Sequence, residues 1–396
     1  MSVLAAVRPT PLVAADAALP DLDAILPGLT ARFAATAEAH DRDASFPFEN
    51  FAALHAAGLL ALTAPKDLGG LGADLPTALK VIQATARGEP ATALVLVMQY
   101  LFHGSLNGRA GWPDHLKALV VDDAIRNGGL INALRVEPDL GTPARGGLPA
   151  TVARSTPEGW RISGRKIYST GSPALTWMVV WARTDEDEPR VGGWLVHRDT
   201  PGWRIEETWD HTGLRASGSH DVVFDDALVP EDRALSPQLL GGPAHVDPAF
   251  AIWSSVLTSA IYDSVARAAR DWFISWALDR KPANLGASIS TLPRFQEIVG
   301  TIDGLLLQNR VLLEAAANGA LPPSEGGLVK HLVTENAIAA VEKAIAAAGN
   351  PGLSRHNPLQ RHYRDVLCGR IHTPQGDVIL TSAGKAAFMA AAAARG

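Results

Sequence analysis

The chain has 396 residues, 47% of them hydrophobic and 19% charged, with a formal net charge of −6. That balance describes a globular protein of two or three domains with a large core and sets aside a disordered one. The acidic excess, with no basic stripe, excludes an ordinary nucleic-acid binder, and the single cysteine, Cys368, excludes an internal disulfide or a cysteine-built zinc site, so no metal is expected.

Residues 1–20 read as a loose arm. Prolines break its short apolar run and Asp16 follows, so no signal peptide is expected. No stretch reaches the ~18 apolar residues that a membrane span needs, which makes the cytoplasm the expected compartment. Residues 21–127 predict an N-terminal helical domain. Phe51, Leu54, Gly58 and Leu62 recur at helical spacing, with Asn50 as a candidate cap. Leu68-Gly69-Gly70-Leu71-Gly72-Ala73-Asp74 is glycine-broken and reads as a loop. Helices are predicted at about Pro76–Arg87 and Pro90–His103, the second apolar enough to be buried on most sides.

The texture changes over residues 128–234. Short runs rich in Val, Ile and Trp alternate with turn residues, at Gly129–Leu134, Thr151–Ser155, Trp160–Ile162, Trp177–Ala182, Gly193–Val196, Arg204–Glu207 and Asp221–Phe224. Thr156-Pro157-Glu158-Gly159 joins two of them as a turn. This predicts a small β-barrel or sandwich. Over residues 235–396 helical periodicity returns. Leu257, Ile261, Val265, Ala268, Trp272 and Trp276 form one stripe, and Ile302–Leu313 and Leu328–Ala348 make two more helices, the last closed by Gly349, Pro351 and Gly352. The expected fold is mostly α with a β insert, ending in an antiparallel four-helix bundle.

The densest chemistry lies between Leu359 and Asp377, which holds Arg361, His362, Tyr363, Arg364, Asp365, Arg370 and His372. Pro374 and Gly376 stop any helix after His372, so a turn with exposed amides is expected there. Such a turn suits the wall of a ligand pocket; a solvated salt-bridge cluster is the competing reading.

Five fragments in this order resemble the acyl-CoA dehydrogenase superfamily. Leu54-His55-Ala56-Ala57-Gly58-Leu59 with Ala64-Pro65-Lys66-Asp67-Leu68-Gly69-Gly70 is similar to the family's N-terminal segment. Asn132-Ala133-Leu134-Arg135-Val136-Glu137-Pro138 through Gly141-Thr142 resembles its "A.TEP.AGS" strand and loop. Trp160 through Gly171, with Lys166-Ile167-Tyr168-Ser169-Thr170, resembles the strand that follows. Gly213-Leu214-Arg215-Ala216-Ser217 and Phe224-Asp225-Asp226-Ala227-Leu228-Val229-Pro230 resemble "GLR.S" and "F.DV.VP".

The resemblance implies a flavin held between the β domain and the C-terminal bundle, FAD first and FMN as the alternative, in a homodimer or homotetramer. By position it implies that Tyr168 lies against the ring, that the Thr170 hydroxyl bonds near flavin N5, and that backbone around Ala133, Arg135 and Val136 meets the pyrimidine edge. Ser169, Gly141, Thr142, Arg280, Gly349, Gln375 and Asp377 complete the implied cofactor-binding set. An ordinary strand with a half-buried aromatic is the plain alternative for Tyr168 and Thr170. Three positions depart from the pattern. Val136 stands where a hydroxyl residue is usual, Lys281-Pro282-Ala283 follows Arg280 in place of "FG", and Gly349-Asn350-Pro351-Gly352 stands for "GG.G".

The glutamate that removes a substrate proton in most members is replaced here by Thr373, whose hydroxyl is no base at neutral pH. His372 beside it resembles the histidine of two-component flavin monooxygenases, which take reduced flavin from a reductase. An imidazole with an ordinary pKa of about 6.5 suits proton handling at neutral pH. His103, at the end of the apolar helix, is a second candidate, with a helix-terminal histidine as the plainer reading. The expectation is therefore a flavin-dependent oxidoreductase, a monooxygenase first, with His372, Thr170 and His103 as catalytic candidates. Its partners would be a small organic substrate and a flavin reductase or electron-transfer flavoprotein. A dehydrogenase with a base relocated to Tyr262, Asp263, Asp271 or Asp279 is the second reading, and a degenerate flavin-binding protein with a structural role the third.

Overall fold

The computed structural model describes residues 18–108, 112–140, 147–239 and 248–395. The expected loose arm falls mostly outside them. Helix α1 (Leu22–Asp43) opens on Asp21, whose side chain accepts from the Ala24 amide, and α2 (Phe48–Ala56) follows. Asn50 is not a cap, because Pro47 takes that place; the Asn50 amide lies buried inside α2 and donates to Thr92. Helix α3 (Leu75–Gly88) is capped by Asp74, and α4 (Pro90–Gly104) by the buried Glu89 carboxylate, which accepts from Ala91 and Thr92 amides. A carboxylate at that end satisfies orphan amides and meets the positive end of the helix dipole. As its composition predicts, α4 is buried on nearly every side, and α5 (Asp114–Arg126) closes the domain.

The β domain forms one continuous eight-stranded sheet in the order β6-β7-β3-β2-β4-β5-β8, with β1 paired to β4. Its strands are β1 (Leu130–Leu134), β2 (Val152–Thr156), β3 (Gly159–Lys166), β4 (Leu175–Thr184), β5 (Arg190–His197), β6 (Trp203–Glu206), β7 (Asp221–Val229) and β8 (Ala234–Leu239). The turn expected at Thr156–Gly159 closes the β2–β3 hairpin. Strand β8 has no counterpart among the expected runs and carries the sheet past residue 234; Pro237 and Gln238 interrupt its apolar pattern. Alternation along β4 sorts side chains between two cores. Met178, Val180 and Ala182 join the main core shared with the helices, while Trp177 and Val179 join a second core with Leu116 and Val120 of α5. A period of two makes a strand buried on both faces divide its side chains in this way.

Helix α6 (Pro248–Asp279), with α7 (Pro293–Ala317) and α8 (Gly326–Ala348), supplies the long part of the C-terminal bundle, and the short α10 (Leu359–Leu367), after α9 (Asn350–Leu353), packs on α6 and α8 as a fourth member. At its middle α6 is buried all round, through Val256, Ala260, Ile261, Tyr262 and Val265. Its lower stripe differs, because Trp272 and Trp276 are only partly buried and stack on one another. Gly349 ends α8 at a φ of 65°, where a residue without Cβ is favoured. Helix α11 (Gly376–Ala393) follows the turn after His372.

Candidate functional site

Three backbone segments meet at one end of the sheet. The Ile167 amide donates to Val136 O at 2.9 Å, Ser169 to His220 O at 3.1 Å, and Gly171 to Ser217 O at 2.9 Å. Beneath them Glu137 and Lys166 form a buried ion pair at 2.6 Å, and Glu137 also accepts from the Ala150 and Thr151 amides and the Thr151 hydroxyl. Burial works against the Glu137 carboxylate, but the bonds from Lys166 and Thr151 outweigh it and hold its pKa below the usual value. Burial lowers Lys166 to about 8, still charged at neutral pH. The pair ties the segment after β1 to the end of β3, the two pieces that carry the implied flavin contacts.

On that base Tyr168 turns outward. Its φ is 54° and its side chain is 53% exposed. A non-glycine residue in the left-handed region costs roughly 1 kcal/mol, so the backbone is bent to present this ring. Tyr168 meets Trp209 and His211 edge-on, and those two rings stack at 3.7 Å and 12°. The result is an aromatic shelf. Behind it the Thr170 hydroxyl lies 3.0 Å from Ser219 Oγ, which is 2.8 Å from Ser217 Oγ. Asn132 donates to Thr170 O and accepts from the Ala133 amide. The Ser169 hydroxyl is buried with no hydrogen-bond partner among the described residues. An exposed aromatic shelf beside a chain of hydroxyls fits a flat conjugated ligand with polar edges, as a flavin is.

Helix α10 carries the second cluster, with its polar face inward: Arg361, His362 and Asp365 are buried. Arg364 pairs with Asp41 of α1 and donates to Thr212 O, Arg215 donates to Asp41 O, and the Leu214 amide donates to Asp365. These bonds join all three domains. Trp209 of the shelf donates to Leu214 O, so the shelf and α10 hold the same residue from opposite sides. Burial raises Asp365 to about 7, against the Leu214 bond and the Arg361 charge, and lowers His362 to about 3.

Beyond α10, His372 Nδ1 is hydrogen-bonded to the hydroxyl of Tyr262, a fully buried side chain of α6. Lys330 of α8 donates to the carbonyls of Gly369, His372 and Pro374 at 3.2, 2.9 and 3.0 Å. Burial, and then the Lys330 charge, lowers His372 to about 4; burial lowers Lys330 to about 8. Thr373 is exposed.

The expected site residues therefore fall into groups. Ala133, Val136, Tyr168, Ser169 and Thr170 come together at the sheet end. Arg135 lies beside them, exposed, with its guanidinium 5.1 Å from the centre of the Trp181 ring. His372 stands in the C-terminal turn. Gln375 and Asp377 line a cleft of about 330 Å³ with Lys330, Thr334 and Arg370. His103 joins neither cluster: it is fully buried at the end of α4, and burial lowers it to about 4. Arg280 and Gly349 are exposed at the ends of α6 and α8. Gly141 and Thr142 lie outside the described residues. Sequence reasoning missed Trp209, His211 and Lys330. Lys330 had a signal, since it falls on the buried stripe of α8 with Gly326, Val333, Thr334 and Ala337.

Residues 29–108, 135–227 and 259–375 match, in that order, the models of the N-terminal, middle and C-terminal domains of acyl-CoA dehydrogenases. The putative acyl-CoA dehydrogenase YdbM of Bacillus subtilis (strain 168) is 36% identical over 363 residues, 90% of this chain and 93% of that protein. The L-evernosamine nitrososynthase of a Micromonospora strain is 31% identical over 376 residues, 88% of this chain and 85% of its own length. Among solved structures, KijD3 in complex with FMN and dTDP-3-amino-2,3,6-trideoxy-4-keto-3-methyl-D-glucose gives a TM-score of 0.80 at 28% identity, covering 94% of this chain and 95% of that one. Butyryl-CoA dehydrogenase from Megasphaera elsdenii, at 20% identity and a TM-score of 0.81 over 94% of this chain and all of its own, shares the fold.

Proposed function

This chain belongs to the acyl-CoA dehydrogenase family of flavin-dependent oxidoreductases, and within that family we propose that it is a monooxygenase oxidising a small amine with dioxygen and reduced flavin. One observation carries the reading. Where the family's carboxylate base is expected stands exposed Thr373, and the adjoining His372 is instead a neutral imidazole bonded to Tyr262.

The carboxylates considered for a relocated base are occupied or badly placed. Asp263 is buried against Arg267 at 2.7 Å, Asp271 is paired with Arg87 and Arg270, and Asp279 is exposed at the end of α6. Tyr262 is no base either, because burial raises its phenol well above the ordinary value.

Bound flavin supplies the electron pair and the reactivity toward dioxygen. The chain supplies the rest. The Tyr168 shelf receives a flat ring, the Thr170–Ser219–Ser217 chain offers hydroxyls that rotate to donate or accept, and His372 offers a fixed ring nitrogen. An amine is proposed because of the likeness to a nitrososynthase and to a protein solved with an amino sugar nucleotide. One oxygen atom would enter an N–H bond and the other would leave as water, with two electrons from the reductant. FMN is placed ahead of FAD. KijD3 was solved with FMN, and Arg280 leads into Lys281-Pro282, away from the motif that serves the adenosine half. A flavin reductase is the proposed electron donor, and the exposed Phe388 and Met389 of α11 offer a surface for self-association.

The test combines the protein, FMN, a reductase and an amino sugar under ¹⁸O-labelled dioxygen. An oxidised amine carrying one labelled atom is expected. Bleaching of the oxidised flavin by an acyl-CoA without oxygen would overturn the reading.

A further inference from the structure

We infer that Tyr262 is a positioning residue that fixes His372 as an Nε2–H hydrogen-bond donor. The inference rests on the reading that His372 faces the reaction and adds how its proton is held there. The two residues lie 110 positions apart in sequence, and no motif joins them.

A hydroxyl buried as completely as that of Tyr262 must place its hydrogen on an acceptor. The acceptor it meets is His372 Nδ1. A nitrogen that accepts a hydrogen bond carries no proton, so the single hydrogen of the neutral ring sits on Nε2. The surroundings keep that ring neutral. Lys330 faces it from α8, Tyr262 from α6, and Asp365 and the uncharged thiol of Cys368 lie beside Tyr262 on the α10 side. Of these only the Lys330 ammonium bears on the imidazole itself, and it opposes a second positive charge.

Position is fixed as well as tautomer. Lys330 uses three donors on three carbonyls of the turn, including that of His372. The backbone is held from α8 and the ring from α6. Residue 369 must also be small, because a Cβ there would lie 2.9 Å from the Tyr262 ring. The turn is thus seated directly on that ring. The assembly holds the ring with its N–H on Nε2 and keeps the imidazole from becoming an imidazolium at working pH.

The test is made on the full-length protein labelled with ¹⁵N-histidine, with His372→Gln used to assign the signal. In the parent protein His372 should show a protonated Nε2 and an unprotonated Nδ1 from pH 5 to 8. Tyr262→Phe keeps the ring that packs against Gly369 and removes only the hydroxyl. It should give mixed tautomers and a His372 titration moved toward neutral pH. Turnover should fall about fivefold, the size of one lost hydrogen bond, with KM little changed. A parent spectrum with the proton on Nδ1, or an unchanged spectrum in Tyr262→Phe, overturns the inference. Full turnover in His372→Ala overturns instead the placement of His372 at the reaction. The two failures are therefore separable.

Discussion

The two clusters that would enclose a flavin are built on opposite plans. The sheet end is largely local: aromatic rings, hydroxyls and amides held by backbone bonds among three short segments, with the Glu137–Lys166 ion pair buried beneath. The C-terminal cluster is titratable and long-range, since Tyr262, Lys330, His362, Asp365 and His372 reach it from three helices and a turn, all with displaced pKa values. The contrast divides the labour. On the proposed reading, one region would receive a flat ring by shape and the other would control where a proton resides.

The largest effect is expected where the sheet end buries its charges. Lys166→Met leaves Glu137 as an uncompensated buried charge, which costs about 3–5 kcal/mol. Equilibrium denaturation in urea should show it as a lower midpoint. Adding Glu137→Gln should recover part of the loss, because the amide removes the orphan charge and its single oxygen still accepts from Thr151, although its NH2 cannot accept from the Ala150 amide. If the double variant is as unstable as the single one, the pair is not what ties the segments together.

A crossed pair of variants tests the division itself. Tyr168→Ala should weaken flavin binding about three- to tenfold, the worth of one aromatic stacking contact, and leave turnover at saturating flavin nearly intact. His372→Ala should do the reverse, lowering turnover by about a hundredfold, within the range for a proton-handling side chain, at unchanged flavin affinity. Flavin fluorescence titration and steady-state rates supply the two readouts. If both variants lose flavin and turnover together, the regions act as one.

The same contrast explains what could be read from the chain. The three-part fold is written in periodicity, and Tyr168, Ser169 and Thr170 sit in a contiguous motif whose neighbours are set by strand geometry. The C-terminal cluster is different. His372 was visible because its segment, with Pro374 and Gly376 marking a turn after it, resembles the one in which two-component flavin monooxygenases carry a histidine. Its partner Tyr262 was indistinguishable from its neighbours on an apolar helix, and Lys330 is tied to the turn across 42 and 44 residues. Such pairings depend on how α6, α8 and the turn pack, which one sequence does not encode as a pattern. His103 failed to join either cluster for a related reason: an apolar helix end does not reveal which interior it enters.

Charge placement also predicts acid sensitivity centred on the C-terminal cluster, with buried His103 adding to it in the same direction. Burial holds His362 at about 3, below the 6.5 of an unfolded histidine. The unfolded chain therefore binds the extra proton. The stability due to this neutral ring is full above about pH 6.5 and is lost as pH falls toward 3. Asp365 has the opposite sign. Its carboxyl is raised to about 7, so its contribution is full below about pH 4 and is lost as pH rises through 7. Removing the imidazole in His362→Gln should flatten the dependence between pH 4 and 6 by about 1.4 kcal/mol per pH unit. Thermal melts across that range give the slope, and an unchanged slope would show that His362 is not held neutral.

The smallest effect is expected at Thr170, and its size is informative. Its hydroxyl is one end of a chain through Ser219 to Ser217, three groups that can each turn to donate or accept. Thr170→Ser keeps that chain and removes a methyl group, so flavin affinity and turnover should change less than twofold. Thr170→Val keeps the shape and breaks the chain, leaving Ser219 to rely on Ser217; a lost hydrogen bond of about 1 kcal/mol corresponds to roughly a fivefold change. The loss should appear in turnover if the hydroxyl serves the reacting edge of the flavin, and in flavin affinity alone if it only seats the ring. Equal behaviour of Ser and Val would remove Thr170 from both roles and leave the shelf, rather than the hydroxyls, as the feature that defines the sheet end.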